Sequence, residues 1–382
     1  MLSRRRFCGA LTMAALAARG AAAAADELRL GAFLSTTGTY TIMGDPERKA
    51  LDMMVERTNA EGGVLGRPLR LIWYDDASEP DRAMSAVKRL IDNDGAHLLI
   101  GGSGTPTSMA VLPLVERAGI PYVSMGGGVG IVEPLRKWTF KVPHTDRMGA
   151  EKVLADLKRR GLTRLALLSE NVGFGRSGRD QVLALAPAWG IRVVVDETYG
   201  PKDADVTPQL TKVRMASDVD ALFVFGTGQG PAVVTRNIRQ LGLTLPVYQS
   251  HGVASKDFLR LVGGAADGMR LPAMALTVAR QLPADDRQKP VALAFKAAYE
   301  ARWGQEVTHF AGHAYDAFAI VMDALRRAGS ADPAAVRDAI ETTKGLVGTG
   351  GVFTMSAQDH LGLDLSSFHM VEIQNGDWVL VD

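Results

Sequence analysis

The chain has 382 residues, 47% hydrophobic and 22% charged, with 43 Lys and Arg against 42 Asp and Glu for a net charge of +1. At about 150 residues per domain this is too long for one ordinary core and suggests two or three domains. The near-neutral balance gives no electrostatic case for nucleic acid, the composition excludes a disordered or fibrous chain, and the single Cys excludes a disulfide framework or a cysteine-rich metal site.

Residues 1–25 read as an export signal. Ser3-Arg4-Arg5-Arg6-Phe7 is similar to a twin-arginine signal, Gly9 to Ala18 is a short, weakly apolar stretch, and Ala21 to Ala25 offers small residues for cleavage. A general secretory signal is the alternative. The apolar stretch is about half of the roughly 20 residues a bilayer span needs, and Cys8 lacks the flanking pattern of a lipid-anchored protein. The expectation is a soluble, monomeric, periplasmic protein cleaved near Ala25. Arg4, Arg5, Arg6 and Arg19 fall in the signal and exceed the whole net charge, so the remainder is slightly acidic, and Cys8 leaves with it.

Past Asp26, apolar runs alternate with amphipathic stretches of helical period. Strands are predicted at Leu28–Leu34, Leu69–Tyr74, Leu98–Gly101, Pro121–Ser124, Leu165–Ser169, Val193–Thr198, Ala221–Phe225 and Pro246–Gln249, with helices between most of them. Such βα repetition implies an α/β fold of parallel sheets covered by helices on both faces, and the length accommodates two. A border is expected near Pro143, where the run Trp138–Val142 leads into a helix over Asp146–Arg160. After the run Met269–Ala275, helices are predicted over Pro290–Trp303, Thr308–Ala328 and Asp332–Thr343, then a hairpin of Phe368–Gln374 and Trp378–Val381 about Asn375-Gly376.

In open parallel sheets ligands bind beyond the carboxyl ends of the strands. The segments there are Ser35-Thr36-Thr37-Gly38, Gly101 through Ser108 (including Ser103 and Thr105), and Ser124 through Gly128. Hydroxyls, bare backbone amides and a helix beginning near Thr105 or Thr107 make a neutral site for a small anion such as a carboxylate. Plain turn chemistry favours the same residue types.

Gly38 through Gly44-Asp45, Asn59-Ala60-Glu61-Gly62-Gly63-Val64-Leu65-Gly66-Arg67, Asp75-Asp76-Ala77-Ser78-Glu79-Pro80, and later Gly173-Phe174-Gly175, Gly252-Val253-Ala254-Ser255 and Ala314-Tyr315-Asp316-Ala317 closely resemble periplasmic substrate-binding proteins of the branched-chain amino acid type. The resemblance implies two doubly wound parallel-sheet lobes joined by three crossover hinges, a ligand clamped between them, delivery to the membrane permease of an ABC-type importer, and no catalysis or cofactor. It divides the chain into a lobe of 26–143 plus 273–349 and a lobe of 144–272 plus 350–382. By the same resemblance Thr105 holds the ligand carboxylate and Gly126 contributes backbone. Gly128 and Thr227 stand where the family has a Thr and a Tyr, and Phe174 supplies an aromatic wall. His251 stands where the family pairs an acidic residue with the ligand's ammonium. Phe310, Phe174 and Tyr40 or Met43 would form a flat apolar slot. The expected ligand is therefore a small carboxylate lacking an ammonium, such as an aromatic or short organic acid, with an amino acid as the alternative. A ligand sensor feeding a membrane receptor would need the same cleft.

His309 and His313 lie four apart on a predicted helix, but without a following Glu they lack the metalloprotease pattern, and they are expected near the pocket without a metal. His97, His144, His360 and His369 are expected at the surface or in turns. Gly173-Phe174-Gly175-Arg176-Ser177-Gly178 with Asp196 beyond the next strand matches a dinucleotide-binding layout, the basis for an exported NAD(P)-dependent oxidoreductase as a competing reading. Three residues separate the strand from the first Gly, and Glu170 would repel a pyrophosphate.

Overall fold

In the computed structural model, which describes residues 27–381, strand β1 (Leu28–Leu34) is buried along almost its whole length. Leu28, Leu30, Ala32 and Leu34 enter one apolar layer and Phe33 the other, as in a strand covered on both faces. The chain continues through α1 (Thr41–Ala60), β2 (Leu69–Asp75), α2 (Pro80–Asp92), β3 (Leu98–Gly101), α3 (Thr105–Ala118), β4 (Tyr122–Ser124) and β5 (Thr139–Lys141). These strands pair in parallel in the order β2-β1-β3-β4-β5. Successive connections leave in opposite directions from β1 and β3, which opens a crevice at their carboxyl ends.

Helix α4 (Asp146–Arg159) begins a second series: β6 (Arg164–Glu170), α5 (Gly173–Leu185), β7 (Arg192–Tyr199), α6 (Thr207–Met215), β8 (Ala221–Phe225), α7 (Gly230–Gln240), β9 (Val247–Gln249), α8 (Lys256–Val262) and β10 (Arg270–Met274). Then come α9 (Gln288–Trp303), α10 (His309–Ala328), α11 (Pro333–Glu341), β11 (Lys344–Val347), β12 (Val352–Thr354), β13 (Phe368–Gln374) and β14 (Asp377–Leu380). The second sheet is ordered β14-β13-β10-β9-β8-β6-β7. Strands β10-β9-β8-β6-β7 are parallel and repeat the order of the first sheet, while β13 and β14 add an antiparallel edge on the far side. Leu165 and Leu167 enter one core and Ala166 and Leu168 the other. Asn375 (φ 53°) and Gly376 (φ 71°) make the tight turn between β13 and β14.

Helices α9 to α11 return to the first lobe, where Phe295, Tyr299, Phe318 and Ile340 share a core with β1. The chain therefore crosses between lobes three times: after β5, after β10 and between β12 and β13. The stretch from Val352 to Leu363, assigned above to the second lobe, instead buries Phe353, Met355, Leu361 and Leu363 in the first-lobe core. The β11–β12 hairpin was not predicted, because its strands are short and flank the glycine-rich run Gly348-Thr349-Gly350-Gly351. Among the described residues no helix is long and apolar enough to cross a membrane. The expected export signal lies outside them.

Candidate functional site, a cavity between the lobes

Loops from both sheets line a small, partly open cavity at the junction of the lobes, with about 40 Å³ of internal space. Of the residues singled out in the sequence, Tyr40, Met43, Ser103, Thr105, Phe174, Thr227, His251 and Phe310 line it. Gly126 and Gly128 do not. A side chain on Gly126 would run into Ile131 Cδ1 at 2.7 Å, and one on Gly128 into Thr105 Cγ2 at 2.5 Å, so both positions face into the first lobe. The residue between them, Gly127, lines the cavity and lies against Phe174, whose Cε2 would be 2.8 Å from an added Cβ.

Hydrogen bonding decides which hydroxyls remain for a ligand. Ser35 Oγ donates to Asp76 Oδ1 (2.6 Å) and Thr37 Oγ1 to Asp75 Oδ2 (2.5 Å), so the loop after β1 spends its hydroxyls on the loop after β2. Turn chemistry accounts for that loop, and only Tyr40 and Met43 beyond it reach the cavity. Ser103 Oγ accepts the Ser35 N–H (3.0 Å) and bonds to buried Glu47, whose carboxyl is pushed up to about 8, mainly by burial. Thr227 Oγ1 donates to the Gly252 carbonyl (2.9 Å). Thr105 Oγ1 accepts the Gly128 N–H (3.0 Å), so its own proton stays available to the cavity. Tyr40, pushed up to about 12 mainly by burial, is a second protonated donor there. Helices α3 and α5 begin at Thr105 and Gly173, directing two positive dipole ends toward the same space.

Four imidazoles gather around the cavity. His251 packs edge-on against Phe174 and Phe368 at centroid distances of 5.1 and 5.0 Å. His309 and His313 line the cavity from α10, and His309 Nδ1 donates to the Ala254 carbonyl at 2.9 Å. His144 stacks on Phe368 at 3.9 Å and meets Ser367 through Nε2. Since the Ser367 hydroxyl donates to the Asp364 carbonyl, His144 Nε2 carries the proton of that pair. Burial holds His309 down at about 4 and His144 at about 3, with the nearby Lys141 adding to the effect on His144. Burial also holds His251 and His313 well below the usual imidazole range. His144 and His360, expected in turns or at the surface, are buried at 2% and 1% exposure, His360 stacking on Phe140. Aromatic neighbours far apart in sequence hold them, which spacing could not reveal.

Among the described residues no Asp or Glu lines the cavity. Behind the lining, Glu47 is bonded to Ser103, and Glu170 is a buried carboxyl that accepts the Thr227 N–H and is pushed up to about 7 by burial. Met125, Pro143, Gly104, Gly252, His309 and His313 complete the lining beyond the residues expected to bind. The nucleotide-like glycines serve packing: a Cβ on Gly175 would lie 2.4 Å from the Glu170 carbonyl oxygen, and one on Gly178 2.0 Å from Phe225. Asp196 is engaged by Arg179 at 2.8 Å. The ribose-binding role read for Asp196 is thereby taken up by an ion pair.

Two doubly wound lobes with matching strand order, three crossovers and a cavity between their strand ends define a bilobed ligand-binding protein of the type I periplasmic class. The chain belongs to the periplasmic binding protein family, which it matches over residues 27–377. It is 26% identical over 335 residues to the leucine-, isoleucine-, valine-, threonine-, and alanine-binding protein of Pseudomonas aeruginosa, covering 86% of each chain. An extracellular ligand-binding receptor from Rhodopseudomonas palustris HaA2 superposes with a TM-score of 0.87 at 28% identity, over 93% of this chain and 99% of that one. A branched-chain amino acid transporter substrate-binding protein of Streptococcus pneumoniae, solved with isoleucine, shares the fold with a TM-score of 0.81 at 21% identity, over 93% and 100% of the chains. All three relatives are named as ligand- or substrate-binding proteins.

Proposed function

We propose that this chain is the periplasmic capture component of an ABC-type importer, and that its ligand is a small organic acid without an ammonium group. The observation that carries the reading is the make-up of the cavity wall: free donors at Thr105 and Tyr40, two helix amino termini, and no acidic side chain. An ammonium enclosed there would lack a partner, and an unpaired buried charge costs several kcal/mol against the roughly 8 kcal/mol of micromolar binding. Met43, Met125, Pro143, Phe174 and Phe310 supply the apolar surface for the body of the acid. The first lobe would engage the carboxylate through Thr105, and the second would close over it with Phe174, Thr227 and His251. The closed pair of lobes would then present the surface a membrane permease recognises.

Amino acid binding is the second reading, favoured by the ligands named for the Pseudomonas and Streptococcus relatives. It would require Glu170, ionised behind Thr227, to serve as the counter-charge. Calorimetric titration of the mature chain with leucine and with benzoate-type and short aliphatic acids separates the two. Binding of an acid with no response to leucine is expected; tight leucine binding with no response to acids overturns the proposal.

A further inference from the structure

Both ring nitrogens of His251 and Nδ1 of His313 are buried without a hydrogen-bond partner. The two side chains line the cavity and are 8% and 9% exposed. Buried polar nitrogens are nearly always satisfied in native structures, and exceptions call for a specific explanation. His309, beside them at 5.5 Å from His313, has its Nδ1 satisfied by the Ala254 carbonyl. His144 has its Nε2 satisfied by Ser367. His251 Nδ1 is turned toward α4, 2.5 Å from where a Cβ on Gly149 would stand, and the His144 backbone acts on the same ring, so His251 Nε2 and His313 Nδ1 are the nitrogens left for a ligand.

We propose that His251 and His313 form a second polar subsite, which receives an oxygen-bearing group on the same ligand whose carboxylate is held at Thr105. The inference rests on the reading of the cavity as a carboxylate site and narrows its ligand to bifunctional acids: hydroxy acids, keto acids or dicarboxylates. Each neutral imidazole offers an N–H donor on one nitrogen and a lone pair on the other, so a hydroxyl between the two rings can accept from one and donate to the other, and a carbonyl can use a donor alone. Phe174 and Phe368 clamp the His251 ring, and Phe310 lies beside His313 at 6.0 Å, which fixes the direction of these groups.

The surroundings also separate the members of that class. His251 is faced by His144 and Lys141 from the first crossover and by His309 from α10; His313 is faced by His309, His144, Lys141 and His251. All are bases. Asp316, one turn along α10 from His313, is saturated by the Thr349 and Gly350 amides at 2.6 and 2.8 Å, and Asp146 acts on Lys141. With no acidic group acting on either ring, both stay neutral until an anion arrives. A second carboxylate would draw a proton onto one ring, so its binding takes up a proton and tightens as pH falls. A hydroxyl or keto group would bind without that proton.

The test is calorimetric titration of the mature chain with two matched series: benzoate, 4-hydroxybenzoate and terephthalate; pentanoate, 4-oxopentanoate and glutarate. At least one bifunctional acid is expected to bind tenfold or more tighter than its monofunctional parent. If it is a dicarboxylate, its affinity should rise from pH 8 to pH 6 with net proton uptake. His251→Gln and His313→Gln should each bring the ratio within about threefold of unity. Parent acids that bind as tightly as all their derivatives overturn the subsite and leave the carboxylate reading standing, and this comparison in the unmodified chain decides the matter even if a variant fails to fold. A preference unchanged in both folded variants also overturns it. Leucine binding with no acid bound removes the carboxylate reading and the subsite together.

Discussion

Thr105 is set apart from the other serine and threonine hydroxyls of the cavity by having its proton uncommitted. Ser103 is tied to Glu47 and Thr227 to the Gly252 carbonyl. Thr105→Ala is therefore expected to weaken ligand binding by about 1.5–3 kcal/mol, the value of a hydrogen bond to a charged group; an unchanged dissociation constant by calorimetry would refute the pose. His251→Asp places a carboxylate at a cavity wall that has none, and should reduce affinity for acids while raising it for leucine. A variant that keeps its acid preference contradicts the role given to His251. Glu47 tests the buried network below Ser103. Its folded pKa is raised from 4.5 to about 8, so its contribution to stability is fully present below about 4.5 and is lost as pH rises through 8. Glu47→Gln removes this titration. Relative to the unmodified chain it should gain stability across that window, on the order of 4 kcal/mol if the whole shift is expressed. Denaturant melts of both proteins at pH 5 and pH 8 measure it, and an equal difference at the two pH values would show that Glu47 is not buried as described.

At the scale of elements, the site is made where the loop after β4 meets the start of α5. Gly127 and Phe174 come from opposite lobes and approach so closely that a methyl group would not fit, and Gly173 lies against Pro106 across the same cleft. Closure, and not the stability of either lobe, depends on this contact. Gly127→Ala should lower ligand affinity at least tenfold with the melting temperature of the unliganded protein within a few degrees of the parent. Full affinity in the variant would show that the lobes do not close at this point. The elements themselves were readily legible, because buried parallel strands such as Leu98–Gly101 and Ala221–Phe225 are short continuous apolar runs bounded by turn residues. The β11–β12 hairpin carried no such signal: its strands are three or four residues long, and Phe353 is their one fully buried side chain, with Leu346 half-buried beside it. The family resemblance points to Gly126 and Gly128, whereas Gly127 between them lines the cavity, because the backbone turns its neighbours into the first lobe.

Across the whole molecule, the two-lobed plan followed from the βα repetition and the family resemblance, while the return of residues 352–363 to the first core did not. That assignment depends on where Phe353, Leu361 and Leu363 find apolar neighbours, which chain order does not state. The imidazole cluster shows the same limit, since His144, His251, His309 and His313 arrive from three separate segments and meet only at the junction of the lobes. The hydroxyl-rich loops announced a small-anion site, yet only the hydrogen-bond network shows which of their protons are free. On the proposed reading the cavity accepts a carboxylate and rejects an ammonium. Leucine and 4-methylpentanoate have the same carbon skeleton and differ only in that ammonium group, so their relative affinities for the mature chain, measured by calorimetry at pH 7, isolate the claim. The expected result is binding of 4-methylpentanoate at least tenfold tighter than leucine; leucine binding the tighter of the two would contradict it.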